Sequence, residues 1–296
     1  MISNTWRWYV AAVVALGQFY FVSATGAVPN GSVYSALGIS AMVAMIAGML
    51  IHRPRHVIAW AFAVVGLGLF LAGDYVYADL VATQAFVAFP SIADWIYLAM
   101  YPVFAVAIVL LGRTLAPHRT WSAVAFGLLT TLATVGVLQF IYMGDLIAEP
   151  FFDTKMRMVA VAYPLLDAVM FGFAAWLGVI SRRGSVSLTL MALALVSLVV
   201  GNAIYNVQLI AGSFDPGGPA DLFWIGFAAL LGVACLHPSM TSTDRLTTTS
   251  AAVVESARHS VKPSESALAA VERRTLLDMS AVLEATRSSS GSTTRV

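Results

Sequence analysis

Charged residues are scarce in this chain. Lys, Arg, Asp and Glu make up 10% of its 296 residues, whereas hydrophobic residues make up 59%. A soluble domain carries roughly 25% charged residues. Together with a mean hydropathy of +0.84, this composition predicts an integral membrane protein. The net charge of +1 gives no general attraction to nucleic acid, so none is predicted as a partner.

Cysteine, histidine and lysine are missing where they would support chemistry. The one cysteine, Cys235, lies in the apolar run GVACL, so we exclude a disulfide framework and a CxxC metal site and predict a buried thiol. None of the five histidines lies at the centre of a predicted span, which argues against haem held by histidine pairs. No span centre contains lysine, which argues against a retinal Schiff base. We predict no cofactor.

Catalytic motifs are also missing. The sequence contains no P-loop, GxSxG, HExxH or Rossmann glycine pattern, each of which marks a defined chemistry. We therefore predict that the chain is not an enzyme, with no catalytic residue and no metal site.

Long apolar runs are present instead. A helix needs about 20 apolar residues to cross the hydrocarbon core of a bilayer, and eight segments qualify. The sequence therefore predicts an all-α membrane domain over residues 1–240, built as an eight-helix bundle in the lipid bilayer. The predicted spans are 6–25, 33–51, 57–79, 93–112, 121–143, 157–180, 186–211 and 220–237.

Basic residues concentrate in the even-numbered loops between these spans. The odd-numbered loops are nearly free of them, and only Lys155 and Arg157 border the sixth span. The positive-inside rule places the even loops in the cytoplasm. We therefore predict a multi-pass protein of the plasma membrane with both termini cytoplasmic. The loop residues that carry this prediction are Arg53, Arg55, Arg113, Arg119, Arg182 and Arg183.

The composition changes after Pro238. Residues 241–296 contain 20 Ser or Thr and 13 charged residues, which is typical of a disordered, solvated segment. One stretch, 264–285, begins with a capping residue and carries apolar residues at helical spacing, so we predict a helix there. This helix either binds a cytoplasmic signalling protein or a second copy of the chain, or is a marginal helix in solvent.

A short pattern recurs at an offset of 127 or 128 residues. The form G-[DN]-x-x-Y closes the third and seventh spans, and A-D-x-x-[YW] opens the fourth and eighth. We interpret residues 1–120 and 121–240 as two parallel four-helix repeats related by an axis along the membrane normal; the alternative is a chance match. The matched residues are Gly73, Asp74, Tyr77, Ala93, Asp94 and Tyr97, and Gly201, Asn202, Tyr205, Ala220, Asp221 and Trp224.

Four aspartates lie in or beside predicted spans, where ionisable residues are costly and commonly functional. Asp94 and Asp221 start helices, where a carboxylate can cap free N–H groups. Asp74 lies near the predicted outer surface, where water can reach it. Asp167 lies roughly 16 Å into the sixth span at 1.5 Å per residue. Neither helix capping nor contact with water explains an aspartate at this depth. If Asp167 is not functional, the alternative is that it forms an interhelical hydrogen bond that only fixes helix packing.

Tyrosines share helix faces with these aspartates. Tyr97 and Tyr101 follow Asp94 at i+3 and i+7, and Tyr163 precedes Asp167 by four residues, so each set projects to one side. We predict that these groups line one outward-facing polar cavity for an unidentified ligand. The predicted ligand-binding residues are Asp74, Tyr77, Asp94, Tyr97, Tyr101, Tyr163, Asp167, Asn202, Tyr205 and Asp221.

Other aromatic residues cluster near the ends of the spans. Tyr142 and Trp224 are among them. Trp and Tyr are enriched where a membrane meets water, so we interpret most of this group as an interfacial belt.

Four motifs in fixed order resemble a known family. GDYVY, FPSIADWIYLAMYP, AYPLLD and CLHPSM resemble the membrane region found ahead of the GGDEF and EAL domains of actinobacterial cyclic-di-GMP signalling proteins, over roughly residues 57–240. The resemblance implies a sensory or regulatory membrane module of unknown ligand. The chain has no GG[DE]EF or EAL-type sequence, and a Ser/Thr-rich tail replaces the family's further helices. We therefore do not predict the cyclase or phosphodiesterase activity of that family for this chain.

Three functions follow from these observations. The first is signal transduction, in which the polar groups sense a ligand or membrane state and pass the signal to the tail or a partner. The second is secondary or proton-coupled transport, motivated by Asp167 and the repeats. The third is a structural assembly protein in which the polar groups serve packing alone.

Overall fold

The computed structural model describes residues 4–23, 30–115, 120–181, 185–241 and 273–274, and every regular element within these ranges is a helix. A π-helical turn, Gln139–Met143, joins the fifth and sixth helices. The α-helices are α1 (Thr5–Ser23), α2 (Asn30–His52), α3 (Val57–Thr83), α4 (Ile92–Leu115), α5 (Thr120–Leu138), α6 (Gly144–Ala148), α7 (Thr154–Ser181), α8 (Val186–Ile210) and α9 (Pro219–Leu236).

Seven helical stretches among the described residues are long and apolar enough to cross a membrane. This property fits the predicted multi-pass membrane protein. The helix α1 coincides with the predicted first span, 6–25, but is not one of the seven; Arg7 and Gln18 interrupt its apolar sequence. The seven stretches are Gly31–His52, Val57–Thr83, Ile92–Arg113, Trp121–Ala148, Thr154–Ser181, Val186–Ile210 and Pro219–Leu236.

Local sequence explains where several helices begin. The Asp153 carboxylate accepts a hydrogen bond from the Met156 amide at 2.8 Å at the start of α7. The Ser185 hydroxyl accepts one from the Leu188 amide at 3.4 Å at the start of α8. In α9, Pro219 occupies the first turn, where its missing N–H is no loss. Each beginning therefore satisfies or avoids an unpaired helix N–H.

The predicted fifth span ends too early. Residues 139–143 form the π turn and α6 continues from Gly144 to Ala148. The backbone at Leu138, Met143 and Gly144 remains in the right-handed helical region, so the chain does not leave the helix. The sequence contains no proline there that would end it.

The largest core lies between seven helices, α2, α3, α4, α5, α7, α8 and α9. At its centre the Phe227 ring contacts Phe70 and Phe104 edge to face, with centroid separations of 5.5 and 5.7 Å. Trp60 and Leu67 of α3 are fully buried beside them. Aromatic edge-to-face contacts of this kind add about 0.5–1.5 kcal/mol beyond burial, so they help hold α3, α4 and α9 together.

Polar contacts mark two ends of the bundle. We call the end that carries Asp74, Asp94 and Asp221 the acid end. The opposite end, which carries His52, Ser185 and His237, we call the basic end because Arg53, Arg55 and Arg113 also lie there.

The chain divides into two compact units, Met1–Leu246 and Thr247–Val296. Arg273 and Arg274 are the described residues of the second unit, and both are helical and exposed. The remainder of the predicted helix 264–285 lies outside the described residues, as do Arg119, Arg182 and Arg183 of the predicted cytoplasmic loops.

The helices α2 and α9 approach each other closely at Gly48. A Cβ atom at this position would clash with the backbone carbonyl of Cys235. Cys235 itself is fully buried, which confirms the prediction for its thiol. The contact therefore involves helix backbones rather than adjustable side chains, as in other membrane helix pairs that meet at small residues.

The substitution Gly48→Ala should lower the free energy of unfolding by about 1–3 kcal/mol, because the added methyl group forces two helix backbones apart. Reversible unfolding in mixed micelles, followed by circular dichroism, measures this value. Gly136→Ala is the control, since a Cβ atom there meets no atom within 4 Å. Equal stability of the two variants would contradict the close approach of α2 and α9.

Candidate functional site

Asp94 both caps its helix and binds another helix. Its Oδ2 accepts hydrogen bonds from the Ser91 amide at 2.6 Å and the Ser91 hydroxyl at 2.8 Å. Because Ser91 precedes α4 and Asp94 is the third residue of α4, the amide contact is one half of a capping box. Its Oδ1 accepts a hydrogen bond from the Tyr163 hydroxyl of α7 at 2.9 Å.

Asp221 likewise contacts both the segment before its own helix, α9, and another helix. Its Oδ2 accepts hydrogen bonds from the Gly217 amide at 2.6 Å and from the Tyr20 hydroxyl at 2.5 Å. Tyr20 lies near the end of α1 and is buried, as is Asp221. The carboxylate therefore joins α1 to the loop and helix that follow α8.

Asp74 of α3 pairs with α4. Its Oδ1 accepts a hydrogen bond from the Tyr97 hydroxyl at 2.7 Å. The ring of Tyr97 lies against Gly73, where a Cβ atom would come within 2.5 Å of it. Glycine at position 73 thus provides the space in which this contact forms.

The helices α8 and α9 make a corresponding contact. The Trp224 indole donates a hydrogen bond to Asn202 Oδ1 at 2.8 Å. The indole lies against Gly201, where a Cβ atom would come within 2.9 Å of it. The residue types differ, but a glycine, a polar acceptor and an aromatic donor occupy matching positions in the two helix pairs.

Asp167 lies at the junction of three helices and is fully buried. Its Oδ1 accepts hydrogen bonds from the Tyr101 hydroxyl of α4 at 2.8 Å and from Asn202 Nδ2 of α8 at 2.9 Å. Asn202 Nδ2 also lies 3.2 Å from the Tyr101 hydroxyl. Because the Trp224 indole can only donate, it fixes which end of the Asn202 amide faces Asp167.

The second oxygen of Asp167 is different. Oδ2 is buried and has no hydrogen-bond partner within the described protein. The Tyr142 hydroxyl of the π turn is likewise buried and without a partner, and it interacts electrostatically with Asp167. Buried polar groups without partners are rare and each requires an explanation.

Tyr163 connects the cap of α4 to the buried carboxyl. Besides its hydrogen bond to Asp94, it interacts electrostatically with Asp167 and Tyr205. Tyr205 packs against the Trp224 ring with a centroid separation of 5.5 Å. The polar groups of α4, α7, α8 and α9 therefore form one connected network.

Tyr34 of α2 extends this network towards α1. It interacts electrostatically with both Asp74 and Asp221, and its ring lies 6.0 Å from that of Tyr20. The acid end thus carries two neighbouring groups of contacts, one around Asp167 and Asp94 and one around Asp74 and Asp221.

Nine of the ten predicted site residues take part in these two groups of contacts through hydrogen bonds or ring contacts. Tyr77 is the exception, since it is 45% exposed and is linked to Tyr205 only electrostatically. The contacts are direct and Asp167 is completely enclosed, so the predicted open cavity remains a prediction. The nine are Asp74, Asp94, Tyr97, Tyr101, Tyr163, Asp167, Asn202, Tyr205 and Asp221.

The predicted site residues do not include five members of the network. Tyr142 and Trp224 belong to the aromatic group that was mostly interpreted as an interfacial belt, but Tyr142 is 1% exposed and Trp224 donates to Asn202. Tyr20, Tyr34 and Ser91 were not singled out. The repeat already matched Trp224 to Tyr97, and that match was a usable signal.

A second cluster lies at the basic end, where α9 ends. His237 Nδ1 accepts a hydrogen bond from the Ser239 amide at 3.1 Å. The Ser239 hydroxyl accepts one from the Ser187 amide of α8 at 2.8 Å, and the His237 ring lies 5.1 Å from that of Trp6. His52 Nε2 lies 3.0 Å from the carbonyl of Leu236. These contacts tie the turn after α9 to α1, α2 and α8.

Among the described residues, no group of three His, Cys, Asp or Glu side chains could hold a metal ion. The network is accordingly made of carboxyl, hydroxyl, amide and indole groups alone. Such groups can bind hydrogen-bonding or cationic ligands, or exchange protons.

Comparisons with known proteins return no match: no family model, no curated protein and no solved structure corresponds to this chain. The resemblance to the membrane regions of cyclic-di-GMP signalling proteins therefore stays a prediction from the motifs.

Asp94 and Tyr163 should be energetically coupled. Asp94→Ala removes the cap and the interhelical bond, whereas Tyr163→Phe removes the interhelical bond alone. A double-mutant cycle on the free energy of unfolding should give a coupling of about 0.5–1.5 kcal/mol, the usual range for one such hydrogen bond. Pairing Asp94→Ala with Tyr77→Phe should give none, and equal values for both cycles would contradict the contact.

The turn at His237 should weaken in acid. Burial and the nearby His52 lower the pKa of His237 below its usual value of 6.5, and its Nδ1 must be unprotonated to accept from Ser239. Its stabilising contribution is therefore complete above pH 6.5 and is lost as the pH falls through the lower native pKa. NMR of histidine-labelled protein, with the Ser239 amide as a second probe, measures this titration.

The variant His52→Gln is the control for this titration. Removing the neighbouring charge should raise the His237 midpoint towards 6.5. A wild-type midpoint at or above 6.5 would show that the turn does not favour the neutral ring.

Proposed function

We propose that this chain is a membrane sensory or regulatory module whose Asp/Tyr network responds to a ligand or membrane state and passes the signal to the C-terminal tail or a partner. The observation that carries the proposal is the Asp167 carboxyl. It is fully buried, joins three helices through Tyr101 and Asn202, and leaves one oxygen unpaired.

Packing alone does not account for this carboxyl. A buried charge or unpaired polar oxygen costs free energy, and a structural hydrogen bond between helices needs only an amide or hydroxyl group. The hydrogen bonds from Tyr101 and Asn202 stabilise Oδ1 of Asp167, whereas Oδ2 has no hydrogen-bond partner within the described protein. A group held in this state can change its charge or its partner when conditions change, which is what a sensing element requires.

The route to the tail passes through helix packing. Asn202 and Trp224 connect the Asp167 junction to α8 and α9. At the opposite end of these helices, Ser239 joins the turn after α9 to Ser187 of α8. A shift between α8 and α9 would therefore reach the segment that leads into residues 242–296, where we propose that a cytoplasmic signalling protein or a second copy of the chain binds.

The proposal includes the orientation and the eight-span count. Asymmetry of arginine between loops supports a plasma-membrane protein with both termini cytoplasmic, and places the acid end outside. α1 would then be an eighth span, supported by its packing on α2 and α9. The tail would be largely disordered, as its composition suggests. The motif resemblance to cyclic-di-GMP signalling proteins supports a sensory role without assigning catalysis.

We also propose that residues 1–120 and 121–240 are parallel repeats. The packing of α3 on α4 corresponds to that of α8 on α9, with the same arrangement at Asp74–Tyr97 and Asn202–Trp224. Across the halves, α2 packs on α9 and α7 packs on α4, so the second helix of each half contacts the fourth helix of the other. This exchange is what a two-fold relation would produce.

Proton-coupled transport is the second candidate. A buried carboxyl within a membrane helix and paired halves are common in transporters. The observation that favours it is again the unpaired Asp167 oxygen. The two functions differ in outcome, because a transporter must expose this oxygen to both sides in turn.

Substitutions in the Asp/Tyr network should change how readily a protease cleaves the C-terminal tail. In full-length protein in lipid nanodiscs, Asp167→Asn and Asp94→Asn should alter the initial rate of limited proteolysis within residues 242–296 by about fivefold or more, the low end of typical coupling between sites. Asp145→Asn is the matched control, because Asp145 is an exposed aspartate of α6.

Two results would reject the sensory proposal. One is equal tail proteolysis in all four proteins. The other is proton or solute flux in reconstituted vesicles that depends on Asp167 but not on Asp145, which would favour transport.

A further inference from the structure

We propose that Asp167 and Tyr142 form a proton-binding site in which Asp167 Oδ2 takes up a proton and then pairs with the Tyr142 hydroxyl. The ligand of the sensing network is then the proton itself. The inference rests on the proposed function only in treating this network as the sensing element. The binding site itself is argued from the burial of the two groups and from their missing hydrogen-bond partners.

The first argument is the pairing of two unsatisfied groups. Asp167 is 0% exposed and Tyr142 is 1% exposed, and Asp167 Oδ2 and the Tyr142 hydroxyl both lack a partner within the described protein. The two side chains interact electrostatically. The two groups are not hydrogen-bonded to each other in this structure. A hydroxyl can accept a hydrogen bond from a carboxylic acid, so protonation of Asp167 Oδ2 would supply the donor with which Tyr142 can pair.

The second argument is the charge around Asp167. The groups that face it are neutral hydroxyls and an amide, and its hydrogen-bond partners supply no positive charge. A buried anion without a compensating cation is costly, and binding one proton removes that cost. The proton is also the one cation that needs no cavity.

The titratable groups near Asp167 come from each element packed around it. Asp94 of α4 accepts a hydrogen bond from Tyr163 of α7. These groups are Tyr101 and Asp94 of α4, Tyr142 of the π turn, Tyr163 of α7 and Tyr205 of α8.

The third argument is the backbone that carries Tyr142. It lies in a π-helical turn, and such turns inside α-helices occur frequently at functional sites. Tyr142 packs with Leu138, Met143 and Leu146 in a small core that also includes Ala160 of α7. Proton uptake that engages Tyr142 would thus act directly on the contact between this turn and α7.

The chemical step is simple. The Asp167 carboxylate accepts one proton from water at the acid end, where Asp94 is only partly buried and Tyr163 connects it to Asp167. One O–H bond forms on Oδ2, the charge of the side chain changes from negative to neutral, and release is the reverse. No oxidant, metal or other reactant takes part.

Infrared difference spectroscopy of the full chain in nanodiscs tests this site. As the pH is lowered, wild type should gain a carbonyl stretch of a protonated carboxylic acid that is absent from Asp167→Asn and retained in Asp145→Asn. Tyr142→Phe keeps the ring and removes the hydroxyl, so its band should shift in frequency because the acid has lost its hydrogen-bond partner.

Two outcomes would overturn the inference. If no band that depends on Asp167 titrates over the range in which the protein stays folded, Asp167 does not exchange protons. If the band titrates but is identical in Tyr142→Phe, Tyr142 is not its partner. Tail proteolysis measured over the same pH range is separate: a titrating band without any change in the tail supports the proton site and rejects the sensory function.

Discussion

A carboxylate buried within this bundle must find its hydrogen-bond donors on neighbouring helices, because the helix backbone N–H groups around it are already paired with carbonyls. Asp167 meets this requirement with Tyr101 of α4 and Asn202 of α8. Asn202 in turn accepts from Trp224 of α9. Two neighbours of α7, α4 and α8, are thus fixed at one depth together with α9, which is held by α8. Apolar contacts alone would allow these helices to slide.

The capping aspartates extend this constraint to the acid end. Each of them uses its carboxylate to order the loop before its own helix and to hold a tyrosine from a distant part of the chain. Asp94 holds α7 through Tyr163, and Asp221 holds α1 through Tyr20. By contrast, α5 packs on α7 through small residues at Gly127 and Gly172. Polar contacts therefore fix one side of the bundle more firmly than the other.

Much of this arrangement could be predicted from the sequence, because hydrophobic runs and residue spacing are local properties. The helix positions followed from apolar length, and the shared face of Asp94, Tyr97 and Tyr101 followed from helical period. Spacing could not reveal which neighbour each side chain meets. Tyr97 bonds to α3 and Tyr101 bonds to α7, since α4 lies between them, and this depends on packing across the whole bundle.

The π turn is a backbone feature that the sequence could not predict for the same reason. No residue type demands it. The helices on either side of it, α5 and α6, pack on α7, and the turn itself packs on α8. Tyr142 therefore looked like an interfacial aromatic when judged by its distance from the span end, although it is enclosed by Leu138, Leu146 and Ala160.

The close contact of Gly48 with Cys235 has a practical consequence for chemical labelling. Cys235 is the one thiol of the chain, and it is sealed between two helix backbones. Maleimide reagents would leave it unmodified in the folded protein, so a cysteine introduced at any exposed loop becomes the sole reactive site. The native cysteine therefore does not need to be removed before labelling. Maleimide modification of single introduced cysteines in intact cells can then show on which side of the membrane each loop lies.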